Sequence, residues 1–291
     1  MGLLSNFKSL FKGSGRVDIA QRFEILKEAI SGTMSKFYMA RDRENDRLVG
    51  LKVLDADKTA ALEQRFRGLN KPTEGEVAMK FSHKYIVKTY EHGLTTNGEQ
   101  FVLMEYLDGP GLNSLLVARS ELLNGRRVAI LRQTAEALAE VHRAGFIHRD
   151  VCPRNIVVSK TGDDLKLIDF GLTVPDTPAF RQPGVRTGTP NYMAPEIVRR
   201  KSTSTLIDVF AFGVTAFEVC TNELPWPRGT GLEAMKHGQV EPTDIFHLRP
   251  KINKVLGGMI HACLDAIPAK RVEAMAKIVS ILKDIRSEDQ S

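Results

Sequence analysis

The order of apolar and polar positions splits the chain into short alternating runs, then longer helical ones. Residues 23–54 alternate as strands with a turn, and FVLMEYLDG at 101–109 reads as a strand running into a linker. Arg126–Gly145 is helical, with Ile130, Leu131, Ala135, Leu138, Ala139 and His142 on one face. The stretch 172–189 is polar and carries Pro175, Pro178 and Pro183, which predicts a loop. Asp208 opens an almost wholly apolar helix, with a proline stop at Asn222–Trp226, and 272–286 predict a last amphipathic helix. At the start, Leu3, Leu4, Phe7, Leu10 and Phe11 fall at helical spacing ahead of Gly13-Ser14-Gly15. That stripe fits a membrane-surface helix, a helix docked on its own domain, or a partly ordered tail.

Residues 146–171, FIHRDVCPRNIVVSKTGDDLKLIDFG, set two polar clusters between β-rich runs. Val157, Val158, Leu165, Leu167 and Ile168 predict a hairpin, with Gly162-Asp163-Asp164 as its turn. Such a hairpin brings Asn155 and Asp169 to neighbouring strand ends. Two oxygen ligands side by side suit Mg²⁺, a hard cation that takes few protein ligands and shares its shell with phosphates. Asp150, just upstream, is then placed as a base or orienting carboxylate.

HRD-x-x-x-x-N followed by DFG resembles the catalytic core of the eukaryotic-type protein kinases. GTPNYMAPE at 188–196 resembles the segment that closes the activation loop of serine/threonine kinases, where the Thr189 position contacts the catalytic aspartate. VGLKVL at 49–54 resembles the strand whose lysine, here Lys52, anchors phosphates. Laid on the glycine-rich phosphate loop, this chain has Ile30, Gly32, Ser35 and Phe37, so the middle glycine alone remains. Glycines there let amides approach phosphate closely, and their loss predicts weak nucleotide binding. Gly50 stands where an alanine lies against adenine, and Phe37 where a smaller valine faces it, so one loss of volume offsets one gain.

The resemblance covers roughly 20–286 and implies an α+β, bilobal fold: a small antiparallel β lobe with one helix, and a larger, mainly helical lobe. The expected division is a basic amphipathic arm at 1–19 and a kinase domain at 20–287. Within that domain come a small lobe at about 20–104, a hinge at about 105–109 and a large lobe at about 110–287, with nucleotide in the cleft between lobes. TEGEVAMKFS at 73–82 is expected to end the mobile helix, which Gly68, Asn70 and Pro72 leave short or mobile. The resemblance implies ATP and Mg²⁺ as cofactors. Lys52 would hold phosphates and be paired with Glu74 (Glu76 is the alternative). Asp169 and Asn155 would hold the metal, and Asp150 would be the base. Met104 would face the deep pocket, and backbone groups of Glu105 and Leu107 would meet the adenine edge. Ile30, Gly32, Ser35, Phe37, Gly50 and Val157 complete the expected nucleotide contacts. Asp208 would hold the HRD backbone, and Arg271 would pair with Glu196. Thr177 and Thr187 are either phosphorylation sites, with Arg149 receiving the phosphate, or ordinary loop threonines.

Two acceptor signals conflict. Cys152 stands where serine/threonine kinases usually carry lysine, and Arg154 where many tyrosine kinases carry arginine. GTPNYMAPE points to serine and threonine, and Arg154 is then expected to supply positive charge at the transferred phosphate. The expected activity is phosphoryl transfer to a protein hydroxyl in signalling. The alternative is a pseudokinase scaffold acting by binding, and a kinase for small-molecule hydroxyls fits GTPNYMAPE less well.

Composition narrows partners and compartment. The 291 residues carry a net charge of +6, half of it in Lys8, Lys12 and Arg16, so no nucleic-acid stripe is expected in the body. Cys152, Cys220 and Cys263 are odd in number and widely spaced, which fits a reducing compartment rather than a disulfide framework or a zinc site. With no secretory signal or membrane-spanning run read, the expected location is cytoplasmic, or peripheral at a membrane, with residues 2–12 as the contact to a membrane surface or to a partner.

Overall fold

A computed structural model of the chain describes residues 16–29, 34–184, 186–227 and 240–289. The arm at 2–12, Ile30 and Gly32 lie outside the described residues. The described chain forms two compact units, residues up to Leu62 with Tyr90–Tyr106, and Glu63–Thr89 with Leu107 onward. The first unit therefore ends inside the expected 105–109 linker, and residues 63–89 cluster with the second.

In the first unit, a short helix α1 (Ile19–Arg22) leads into β1 (Phe23–Ala29), β2 (Ser35–Asp42) and β3 (Arg47–Leu54). With β4 (Thr89–Leu94) and β5 (Gln100–Glu105) these make a five-stranded sheet, ordered β1-β2-β3-β5-β4. Pairing of β1 with β2, β2 with β3 and β3 with β5 is antiparallel. Alternation then sorts the side chains into two faces. One face packs as the core, from Phe23, Ala40, Val49, Leu51, Phe101 and Leu103. The other carries Phe37, Met39, Gly50, Lys52, Val102 and Met104, which share its parity in the strand register.

α2 (Ala56–Gln64) is followed by a left-handed turn at Gly68, with φ of +83°. The segment expected to finish a helix instead begins one. Thr73 caps α3 (Glu74–Ala78) by accepting from Glu76 N, while the Glu76 carboxylate accepts from Thr73 N. Pro72 cannot donate a backbone hydrogen bond and disfavours helix just before itself, so the chain restarts with its own cap.

The second unit continues with α4 (Leu112–Val117), α5 (Arg127–Arg143), β6 (Phe146–Ile147), β7 (Ile156–Val158), β8 (Leu165–Leu167) and β9 (Val174–Pro175). It then holds α6 (Pro195–Val198), α7 (Leu206–Thr221), α8 (Ile245–Leu248), α9 (Lys254–Cys263) and α10 (Met275–Lys283). α5 packs on α7 and α10, and α7 on α9. Residues 207–220 of α7 are all buried, in keeping with an apolar sequence all round. That helix ends at Asn222, left-handed at φ of +59°, whose backbone N–H donates to the Glu218 carbonyl. Among the described residues no helix is long and apolar enough to cross a membrane.

Candidate active site

The loop after β6 is held from beneath. β6 pairs with β9, and the next two backbone N–H groups, of His148 and Arg149, both donate to the Asp208 carboxylate at 2.8 Å. His142 Nε2, on α5, donates to Asp208 Oδ2 at 2.8 Å. Burial alone would raise the Asp208 pKa, but the His142 hydrogen bond and the His142 and His148 charges hold it below the ordinary carboxylate range. The loop needs this anchor because Arg149 is left-handed, with φ of +70°, which costs a non-glycine residue ~1–2 kcal/mol. Burial also lowers the pKa of Arg149 and of His148, each against the pull of Asp208.

The next carboxylate, Asp150, is half-buried and bound on both oxygens. Thr189 N and Thr189 Oγ1 each donate to Oδ1 at 2.8 Å. Asn155 Nδ2 donates to Oδ2 at 2.9 Å and to the Asp150 carbonyl at 2.8 Å. Arg154 Nη2 donates to Thr189 Oγ1 at 3.1 Å, so this hydroxyl receives from a guanidinium while it donates to a carboxylate. Cys152 Sγ lies 3.7 Å from the same hydroxyl. Burial first, then the Asp150 charge, push the Cys152 thiol up to about 11, so it is neutral near pH 7. The fixed positive charge beside Thr189 is therefore that of Arg154.

The expected hairpin is present. β7 and β8 pair antiparallel from Ile156↔Leu167 to Val158↔Leu165, turning at Gly162 with φ of +80°. Ile168 N donates to the Asn155 carbonyl at 2.9 Å, so Asn155 and Asp169 leave the paired strands at the same end. Asp169 is left-handed, φ +67°, and its Oδ1 accepts from Gly171 N at 3.1 Å. Phe170 is buried against Phe81, with ring centroids 4.8 Å apart, and against His148 at 5.4 Å. That packing fixes the backbone between Asp169 and Gly171.

Glu74 is buried as the first residue of α3. A Cβ added at Gly171 would lie 3.2 Å from Glu74 Oε2 and 3.3 Å from Asp169 Oδ1, so this glycine lets both carboxylates approach its backbone. Lys71 Nζ donates to the Gly171 carbonyl at 3.1 Å and lies 5.8 Å from the Phe66 ring centroid. Burial lowers the Lys71 pKa, while the Glu74 and Glu63 charges oppose this.

The donor set fits a hard cation. Asn155 spends its amide nitrogen on Asp150, which leaves its side-chain oxygen as the acceptor end. Among the described residues no group of three or more His, Cys, Asp and Glu could hold a metal. Two oxygen donors completed by phosphates suit Mg²⁺ better than a cage made wholly of protein groups.

The other expected nucleotide contacts are divided between the units. Ser35, Phe37, Gly50, Lys52 and Glu105 belong to the first, at strand positions opposite Leu54, Lys52, Met104, Val102 and Val49 respectively. Glu74, Leu107 and Val157 belong to the second, where Val157 pairs with Lys166.

The protein kinase domain model matches residues 23–280. The chain belongs to the protein kinase family. It is 31% identical to serine/threonine-protein kinase pkn3 of Myxococcus xanthus, over 94% of this chain and 52% of that protein. It is 35% identical to serine/threonine-protein kinase PknL of Mycobacterium bovis, over 72% of this chain and 52% of that protein. It is 29% identical to serine/threonine-protein kinase PknA of Mycobacterium tuberculosis, over 93% of this chain and 63% of that protein. The chain thus spans about half the length of the first two. Kinase-family membership implies ATP, a divalent metal and protein substrates.

The kinase closing segment is pinned in two places. Arg271 forms a fork with Glu196 at 2.7 and 2.8 Å, both side chains buried, as the sequence predicts. Tyr192 donates its hydroxyl to Glu218 within α7. Thr177 is exposed in the preceding loop, whereas Thr187 is buried. Three features escape sequence reasoning. The His142–Asp208 bond was hidden because His142 reads as one more face residue of a helix. The Tyr192–Glu218 bond spans 26 positions, and the Lys71–Gly171 bond spans 100, with no local pattern to announce either.

Proposed function

We propose that this chain is a serine/threonine protein kinase that transfers the terminal phosphoryl group of Mg²⁺-ATP to a protein hydroxyl. The observation that carries the reading is the Asp150–Thr189–Arg154 set. One carboxylate is oriented by Asn155 and joined to the acceptor segment through the Thr189 hydroxyl, and a guanidinium lies on that same hydroxyl. The relatives named as serine/threonine kinases support the same acceptor class. Asp150 accepts the acceptor hydroxyl proton and orients its oxygen. Arg154 offers charge to the transferred phosphoryl, which replaces the lysine missing at Cys152. Asn155 and Asp169 would hold Mg²⁺, which neutralises phosphate charge when bound, and Lys52 binds phosphate oxygens. Such a reaction asks the protein chiefly for position and charge. A scaffold that acts by binding alone requires none of these groups.

The test is incubation of the full chain with Mg²⁺-ATP and mixed peptides, with mass-spectrometric identification of the phosphoresidue. Phosphoserine or phosphothreonine is expected, Arg154→Ala should lose most activity, and adding Cys152→Lys should restore part of it. Phosphotyrosine as the main product overturns the acceptor assignment, and full activity in Arg154→Ala overturns the role of that arginine. The arm at 2–12 is proposed to attach the protein to an anionic membrane surface, tested by vesicle co-sedimentation of the full chain and a chain lacking 2–16. Equal sedimentation of both would sink that idea.

A further inference from the structure

We infer that Lys71 is a positioning residue for the metal-holding turn Asp169–Gly171, and that with Phe66 it braces the loop that follows. The inference rests on the kinase reading above, in which Asp169 holds Mg²⁺. The turn needs support from outside. Asp169 is left-handed at φ of +67°, which a residue other than glycine keeps only where its surroundings hold it. Its Oδ1 accepts from Gly171 N at 3.1 Å, so the aim of the carboxylate depends on where Gly171 lies. The Phe170 carbonyl is satisfied locally, by Thr173 N at 3.1 Å. The Gly171 carbonyl accepts instead from a residue 100 positions away, the Lys71 ammonium, at 3.1 Å. Gly171 thus holds the carboxylate by its N–H and is itself held by its carbonyl.

The lysine is delivered from a fixed backbone. Leu69 N donates to the Phe66 carbonyl at 2.9 Å and Lys71 N to the Leu69 carbonyl at 2.7 Å, around the left-handed Gly68. Pro72 and the Thr73 cap of α3 follow at once, and the ammonium also donates to the Pro72 carbonyl at 3.3 Å. Its charge lies among those of Glu74, Glu63 and Glu76, and against that of Arg149. Taking an ammonium out of water is costly unless it is hydrogen-bonded and paired. An apolar side chain would fill this place without that cost but would leave the Gly171 carbonyl without its donor. Phe66, five residues earlier, is buried and packs on Phe180, with ring centroids 6.1 Å apart. One short segment before α3 therefore touches the loop after Asp169 twice, at its first residue beyond Phe170 by charge and further on by an aromatic contact. The division of labour follows from the chemistry: the ammonium sets the Asp169 turn, and the Phe66 ring seats the middle of the loop.

The experiment has two readouts on the full chain: amide hydrogen exchange read by mass spectrometry, and calorimetric titration with ADP in Mg²⁺ and in EDTA. The variants are Lys71→Met, Lys71→Arg and Phe66→Leu. Lys71→Met should speed exchange at 169–173 about tenfold while 206–221 of α7 stays within about twofold of wild type. It should also cut the gain in ADP affinity that Mg²⁺ gives by about tenfold, with ADP in EDTA little changed. Lys71→Arg, which keeps a cationic donor, should lie between wild type and Lys71→Met in both readouts. Phe66→Leu should speed exchange at 177–183 and leave the Mg²⁺ gain within about twofold, because the ammonium is still in place. Unchanged exchange at 169–173 in Lys71→Met would overturn the brace, and an equal rise in α7 would show general loosening and overturn its local role. An undiminished Mg²⁺ gain in Lys71→Met, or a loss in Phe66→Leu as large as in Lys71→Met, would overturn the link between the ammonium and Asp169. A wild-type chain that binds no ADP in Mg²⁺ sinks the kinase reading instead, and the exchange result then decides the brace by itself.

Discussion

Replacing Asp208 by alanine strips the catalytic loop of its anchor while removing little apolar contact. Two buried backbone donors, His148 N and Arg149 N, lose their acceptor, as does His142 Nε2. At ~1–3 kcal/mol for each buried donor left unsatisfied, the two amides together give about 2–6 kcal/mol. Relaxation of Arg149 out of its left-handed conformation can return ~1–2 kcal/mol of that. The remainder is a large part of the ~5–15 kcal/mol that holds a typical domain folded. Asp208→Asn keeps one acceptor oxygen but turns an amide nitrogen toward the second donor, so it should lose less than Asp208→Ala. The assay is urea unfolding followed by fluorescence of the chain's single tryptophan, Trp226, which stacks on Phe210 of α7 at 5.9 Å. The pH dependence has a definite sign. The folded-state pKa of Asp208 lies below the ordinary 3.8, so its contribution is present above that value and is lost as pH falls through the folded pKa. The gap between wild type and Asp208→Ala should therefore narrow in acid. A shift below ~0.5 kcal/mol in Asp208→Ala, or a larger loss in Asp208→Asn than in Asp208→Ala, would refute the anchoring argument.

Three further outcomes are expected. Lys52→Met and Asp169→Asn should each nearly abolish phosphate transfer without altering the melting temperature much, since each changes charge rather than core packing, and activity like wild type in either contradicts its assigned role. Burial depresses the Lys71 pKa below 10.5, so the folded state binds that proton less well than the unfolded one. Stability should thus rise with pH in the interval just below 10.5, and the rise should be smaller in Lys71→Met, as read by paired denaturation curves. Cys152, Cys220 and Cys263 are buried, with thiols pushed up to about 11, 12 and 12, so iodoacetamide at pH 8 should leave all three unmodified in the native chain and label them in urea. Rapid native labelling of Cys152 would mean that the catalytic loop opens to solvent.

The hairpin, α5 and α7 could be read in advance because each has a local signature, a turn glycine, a helical period or an apolar run, whereas the Arg271–Glu196 pair came from the family resemblance alone. The break before α3 was half visible. Gly68, Asn70 and Pro72 marked an interruption, but the Thr73–Glu76 cap shows that the next turn is a separate helix rather than the tail of one. The burial of Thr187 was not visible, because a polar residue among prolines and glycines reads as exposed. The Phe37 ring over Gly50 lies between these cases. The family resemblance implied the exchange of sizes, but strand register was needed to put both residues on one face with Lys52.

α7 carries Asp208 in its first turn and Glu218 ten residues later, about 15 Å along the helix at 1.5 Å per residue. The first holds the amides of His148 and Arg149, and the second holds Tyr192 of the acceptor segment. Arg271, which clasps Glu196, also donates to the Leu206 carbonyl at the start of the same helix. The catalytic loop and the acceptor segment are therefore mounted on one rod. For anyone building chimaeras with related chains, this sets the smallest transferable piece. Grafting 148–155 or 188–196 alone would leave a foreign loop seated on unmatched carboxylates, whereas moving both together with 206–221 and Arg271 carries the fittings along with the parts they hold.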